Sequence, residues 1–250
     1  MMTNKVACTI ERRLLLNYRI DPELVTAQLP PGFRPQLISG WAVGGVCLIR
    51  LSRTRPSGLP GWLGLSSENV AHRFGVEWDD NGETHVGVYI PRRDTNSRVV
   101  AAAGGPVFPG LHHRSQFDVN ESPDRIRISL RSSDRQVRVE VEAQPTDRLE
   151  SQLFRSVEDA MQFFKRGSVG WSPSSTGTLD HVQLVSDRWT ARPLAVSRVI
   201  SSVFDDPGQF PADRCTFDSG LLMKNLPATW IGRRTDTDSA IRAIPAHAGA

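Results

Sequence analysis

Apolar and polar residues alternate along much of this chain, most cleanly from Arg125 to Leu130 and again from Gln136 to Ala143. Ile126, Ile128 and Leu130, then Val137, Val139 and Val141, share one face, while Arg127, Arg138, Glu140 and Glu142 take the other. Side chains on a strand point alternately to opposite faces, so this period of two predicts a hairpin with one wet face. A half-wet sheet is normally antiparallel. A second hairpin is predicted where Asn69–Trp78 and Thr84–Ile90 flank Asp80-Asn81-Gly82. Asn-Gly accepts the positive φ angles of a tight two-residue turn. Val6–Tyr18 opens the chain as a strand region. Trp41–Leu51, apolar and interrupted by glycines, predicts a strand that bends or is approached closely. His181–Phe204 and Thr216–Leu226 again read as strands.

Two helices interrupt this pattern. Asp21 can cap free N–H groups, Pro22 suits a first helical position, and Pro30-Pro31-Gly32 ends the turn that follows. The longer helix spans Leu153–Arg166, where Ser156 and Asp159 form a capping pair. Val157, Met161 and Phe164 make its stripe, and Gly167 ends it. Residues 54–66, rich in Pro and Gly around Trp62, predict a long loop. Many strands with two short helices predict a mainly β fold, antiparallel and barrel-like, closed or nearly so to protect its edges. One domain over residues 1–233 and a flexible tail over 234–250 complete the expected organisation.

Composition narrows the function. The chain has 250 residues, 39% hydrophobic and 23% charged, with a formal net charge of +3. Its basic residues are mostly Arg, with lysines at Lys5, Lys165 and Lys224, and acidic residues interleave with them. That dispersal argues against a nucleic-acid-binding surface despite a pI near 9.0. No apolar run approaches the ~20 residues of a membrane span, and the first residues lack the pattern of a secretory signal. The expectation is a cytoplasmic protein with no membrane partner. Cys8, Cys47 and Cys215 form no C-x-x-C pair, so buried free thiols are expected rather than disulfides or a zinc site. A nucleophile elbow, a phosphate-cradling loop and a dinucleotide fingerprint are all missing, and no cofactor is expected.

Three stretches carry a resemblance. Leu16-Asn17-Tyr18-Arg19-Ile20-Asp21, followed by Leu29-Pro30-Pro31-Gly32-Phe33, is similar to the entry segment of the acetoacetate decarboxylase-like superfamily. Ser66-Ser67-Glu68-Asn69 resembles that superfamily's Y-T-E glutamate. The stretch from Ala102 to Arg114 aligns with its A-x-G-R-E-x-x-x-x-P-K-K element, with Gly104 on the glycine. Pro106 then stands at the glutamate, and His112 and His113 stand at the two lysines. More closely, the chain resembles an uncharacterised bacterial branch, domain of unknown function 2071, with Asp94-Thr95-Asn96-Ser97-Arg98 as a further shared element.

The resemblance implies a small-molecule cavity inside a β barrel, and often a homo-oligomer. Imidazole cannot form an imine with a ketone, so Schiff-base decarboxylation of acetoacetate is disfavoured. Arg19 is expected to clamp a carboxylate, or else to pair with Asp21 or Glu68. Glu68 is expected to be an acid or base if it points into the cavity, and a solvated strand-start residue if it does not. His112 and His113, adjacent on an extended strand, must face opposite sides; one of them can move a proton or polarise a carbonyl. No metal is expected, since Cys, Asp and Glu are missing beside the histidines. Lys224 is the one lysine with apolar flanks, although its position does not match the superfamily's lysine. Asp94 and Ser97 read as a turn that caps its own backbone. The expected function is non-Schiff-base acid/base chemistry of lyase, dehydratase or cyclase type on a small carbonyl or carboxylate compound. The alternative is a binding protein that uses the same cavity without turnover.

Overall fold

The structure is a computed structural model that describes residues 4–102, 110–175 and 177–234. The expected tail from residue 235 onward, and Gly104 and Pro106 of the resemblance, lie outside the described residues. The chain opens with β1 (Asn4–Ile20), α1 (Pro22–Thr26), β2 (Arg34–Pro35), β3 (Leu37–Ile38) and β4 (Trp41–Pro56). It continues through β5 (Leu65–Asp80), β6 (Glu83–Thr95), α2 (Arg98–Ala102), β7 (His112–Glu121), β8 (Ile126–Ser132) and β9 (Arg138–Pro145). The last elements are α3 (Val157–Arg166), β10 (Val169–Pro173), β11 (Leu179–Val185), β12 (Arg192–Ser201) and β13 (Cys215–Arg234).

Most sequence signals act where the pattern puts them, but α3 starts at Val157 rather than Leu153, because the Ser156 cap opens its first turn. Asn81 and Gly82 both take positive φ (51° and 82°) and join β5 to β6, with Asp80 opposite Glu83. Asp21 caps α1 by accepting from the Glu23 N–H, and Ser156 caps α3 by accepting from the Asp159 N–H. The loop expected over residues 54–66 is shorter. The chain remains in β4 to Pro56, makes a single 3-10 turn at Gly61–Leu63, and re-enters a strand at Leu65. Backbone pairing of Thr54 with Leu65 overrides the local Pro and Gly content.

The strands close twice. β5, β6, β7, β8, β9, β12, β13, β1 and β4 follow one another by pairing, and β4 pairs back to β5. β6, β10, β11, β13, β1, β4 and β5 make a second, smaller circuit, because β11 also pairs with β13. Pairing is antiparallel except for β6 with β10 and β6 with β7. Five strands (β13, β1, β4, β5, β6) thus form a wall common to both circuits and are buried on both faces.

Each circuit holds its own core. Leu14, Leu16, Val46, Phe74, Ile128 and Val139 fill the larger one. Leu15, Cys47, Ile49, Ala71, Leu221 and Met223 belong to the smaller, where α3 adds Met161, Phe163 and Phe164 from its apolar stripe. A register shift against β4 between Ile10 and Arg12 changes which face of β1 looks which way. Ile10 belongs to the smaller core, yet Leu14, an even number of residues on, belongs to the larger. That irregularity turns Arg12 toward the larger circuit and Arg13 toward the smaller.

Candidate active site

The smaller circuit encloses two adjoining chambers. The outer has a cavity volume of about 80 Å³ and is lined by Val6, Ile49, Asn69, Ala71, Arg93, Asp94, His112 and Trp230, among others. The inner has a cavity volume of about 50 Å³ and is lined by Arg13, Cys47, Arg73, Arg93, Phe164, Val182 and Trp230, among others. Ile49, Ala71, Arg93, Val182 and Trp230 border both, so the chambers share a wall.

His112 reaches the outer chamber because the chain re-enters the sheet through Gly110. Gly110 has φ +87°, and a Cβ there would lie 2.7 Å from the Ser172 Cβ, so a side chain has no room. Its N–H donates to Asp180 Oδ2 at 3.0 Å. Its carbonyl lies 3.1 Å from His112 Nδ1, which fixes that nitrogen as the donor. Burial, and after it the positive charge of Arg93, push the imidazole pKa down to about 3, so the ring is neutral with its proton on Nδ1. Arg93 pairs with His112 in the parallel β6–β7 ladder. It gives Nε to Ser172 Oγ at 2.9 Å and leaves Nη2 buried without a partner among the described residues.

The four residues singled out from sequence do not converge. Among them His112 alone lines the cavity. His113 faces the other way, with Nδ1 3.5 Å from Asp134 Oδ2, and burial followed by the Arg92 charge lowers its pKa. Glu68 lies on the β5 face turned to the larger circuit. It accepts from Arg12 Nη2 at 2.6 Å and from Arg50 Nε at 2.5 Å, so both carboxylate oxygens are engaged. Arg19 lies six residues beyond Arg13 on β1, about 20 Å at strand rise. Its guanidinium stacks on Trp41 at 4.8 Å and donates to Gln152. Neither alternative partner weighed for it, Asp21 or Glu68, is its partner: Asp21 pairs with Arg214 instead. Lys224 is 42% exposed and pairs with Glu121 at 2.8 Å.

The expected turn at Asp94–Arg98 divides its labour. Ser97 Oγ does accept from the Val100 N–H. Asp94, fully buried, instead binds Arg92 at 2.9 and 3.0 Å and accepts from Ser115 Oγ.

The arginines that the structure brings to the cavity, Arg13, Arg73 and Arg93, were not singled out in the sequence, where they sit among 24 others of similar look. Asn69-x-Ala71-x-Arg73 does alternate on β5, and that period was the available signal. Arg73 is 2% exposed, lies on the Phe164 ring at 4.5 Å, and gives Nη2 to Asn17 Oδ1 at 2.8 Å. Gly45 makes room for it, since a Cβ there would sit 3.3 Å from Nη2 and 2.4 Å from the Leu16 carbonyl. Burial pushes the pKa of Arg73 and of Arg93 down to about 10, still cationic at neutral pH. No carboxylate among the described residues pairs with Arg13, Arg73 or Arg93. No group of metal-binding side chains occurs among the described residues either, and no helix there is long and apolar enough to cross a membrane.

The double circuit of strands with a cavity in the smaller ring is the acetoacetate decarboxylase-like fold. Acetoacetate decarboxylase from Legionella pneumophila superposes with a TM-score of 0.54 at 14% identity, over 91% of this chain and 84% of that one. The enduracididine biosynthesis enzyme MppR in complex with pyruvate gives 0.58 at 13% identity, over 92% and 89%. An acetoacetate decarboxylase-like enzyme from Sphingomonas wittichii gives 0.52 at 11%, over 92% and 90%. No curated protein sequence matches. Within that fold class the chain belongs to the DUF2071 family, described as an uncharacterized conserved protein, whose pattern matches residues 8–212.

Proposed function

We propose that the protein is an enzyme that binds a small carboxylate-bearing carbonyl compound in the smaller circuit and carries out acid/base chemistry on it without an imine. One observation carries this reading: Arg93 and His112, ladder partners, both line the outer chamber, and Arg93 keeps a buried guanidinium nitrogen unpaired. Asp180 acts on Arg93 only through space, and a buried cation with no carboxylate in direct contact among the described residues carries a desolvation cost that an anionic ligand offsets. In this reading Arg93 holds the carboxylate and His112 handles the proton alpha to the carbonyl. An anion on Arg93 cancels part of the charge that depresses His112, which makes the imidazole a better base once ligand is bound.

The role expected of Arg19 passes to Arg93 and that of Glu68 to no carboxylate of the cavity, for the reasons of placement given above. Pyruvate, found with MppR, is the natural first probe. Calorimetry should give binding of pyruvate that Arg93→Gln weakens at least tenfold, with little change for the neutral pyruvamide. In deuterium oxide the methyl protons of pyruvate should exchange in the presence of the protein, and His112→Gln should abolish that exchange. Binding without exchange would make the protein a carrier, and equal loss for charged and neutral ligands would remove Arg93 from the site.

A further inference from the structure

Cys47 lies in the inner chamber, 2% exposed, with Arg13 Nε donating to its sulfur at 3.2 Å. Arg73 and Arg93 line the same chamber. Arg13 Nη1, Arg73 Nε and Nη1, and Arg93 Nη2 are buried and have no hydrogen-bond partner among the described residues. The partners these three guanidiniums do have are a sulfur, the Asn17 amide and the Ser172 hydroxyl, none of them a carboxylate. A buried cationic cradle with spare N–H groups calls for an anion, and its one soft nucleophile is the Cys47 thiol. A nucleophilic sulfur beside an anion-binding site meets the carbonyl of an oxo acid bound there.

We propose that Cys47 adds reversibly to the carbonyl carbon of a small 2-oxo acid whose carboxylate is held by Arg73 and Arg93. This rests on the ligand class proposed above and deepens it. In the addition the sulfur forms a bond to the carbonyl carbon, and the C=O π pair moves onto oxygen. That oxygen takes the proton given up by the thiol. The product is a hemithioketal, or a hemithioacetal from an aldehyde, with no leaving group and no change of redox state. The spare Arg13 N–H is positioned to hold the developing oxyanion. The other two thiols, Cys8 and Cys215, line neither chamber.

The test pairs labelling with carbon NMR. A thiol without nearby positive charge is alkylated faster by neutral iodoacetamide than by iodoacetate. Cys47 should reverse that order by tenfold or more, read by peptide mass spectrometry with Cys215 as the internal reference. Arg13→Gln, at a half-buried position that tolerates the change better than Arg73, should remove most of the reversal. Protein saturated with 2-13C-pyruvate or 13C-glyoxylate should give an sp3 carbon resonance that Cys47→Ala abolishes. Labelling of Cys47 that is no faster with the anionic reagent overturns the cradle's role. A missing sp3 signal with ligand binding intact overturns the addition and leaves the proposed function standing. Failure of either acid to bind overturns both.

Discussion

Arg93 and His112 sit side by side where β6 and β7 run parallel, and the guanidinium charge adds to burial in keeping the imidazole neutral. A ligand that neutralises Arg93 therefore acts on His112 through space. In the free protein His112 should stay unprotonated down to about pH 3. Saturation with pyruvate should raise that midpoint by a unit or more, as followed by histidine-selective NMR. A midpoint indifferent to ligand would uncouple the two residues.

Glu68 is buried between Arg12 and Arg50, and Arg12 also donates to Glu121 at 2.9 Å. Glu68→Gln removes the anion and leaves Arg12 buried with one carboxylate. A loss of about 3 kcal/mol in unfolding free energy is expected in urea titrations. Pyruvate affinity of the folded protein should not change, because this network faces the larger circuit.

Arg19 stacks on Trp41 and binds Gln152 at the far end of β1. Arg19→Ala should cost about 0.5–1 kcal/mol of stability, the range of an exposed cation–π contact. Carboxylate ligands and their neutral analogues should bind the variant as they bind the parent. A selective loss for carboxylates would return Arg19 to the binding site.

His72 is fully buried in the larger circuit, with neither ring nitrogen hydrogen-bonded, and burial pushes its pKa from 6.5 to about 4. The unfolded chain binds a proton there near pH 6.5, and the folded protein does so only near 4. The neutral ring is therefore no penalty above pH 6.5, and stability falls as pH drops from 6.5 toward 4. The span is worth about 3 kcal/mol at 1.36 kcal/mol per unit. His72→Leu, of similar volume and without polar atoms to satisfy, should flatten this slope and be neutral or stabilising at pH 7. An unchanged slope in pH-dependent denaturation would place the proton uptake elsewhere.

Lys224 holds Glu121 from a largely solvated position, and no lysine lines either chamber among the described residues. Borohydride reduction in the presence of acetoacetate should leave the protein mass unchanged. A trapped adduct on any lysine would restore imine chemistry.

Strand periodicity, the Asn81-Gly82 turn and the caps at Asp21 and Ser156 are local properties, carried by neighbours within a few residues, and the sequence by itself determined them. It also determined the family likeness and the opposed directions of His112 and His113, since adjacent strand residues must diverge. Which face of each strand meets a cavity was decided by tertiary structure alone. The common wall is buried on both sides along the middle of its strands, so alternation there does not mark one face as wet, and Arg12 and Arg13 look alike. A register shift between Ile10 and Arg12, set by pairing with β4, sends one arginine to Glu68 and the other to Cys47. Closure of β11 onto β13 then gathers Arg13, Arg73, Arg93 and Cys47 around one space, across separations in the chain that no local pattern records.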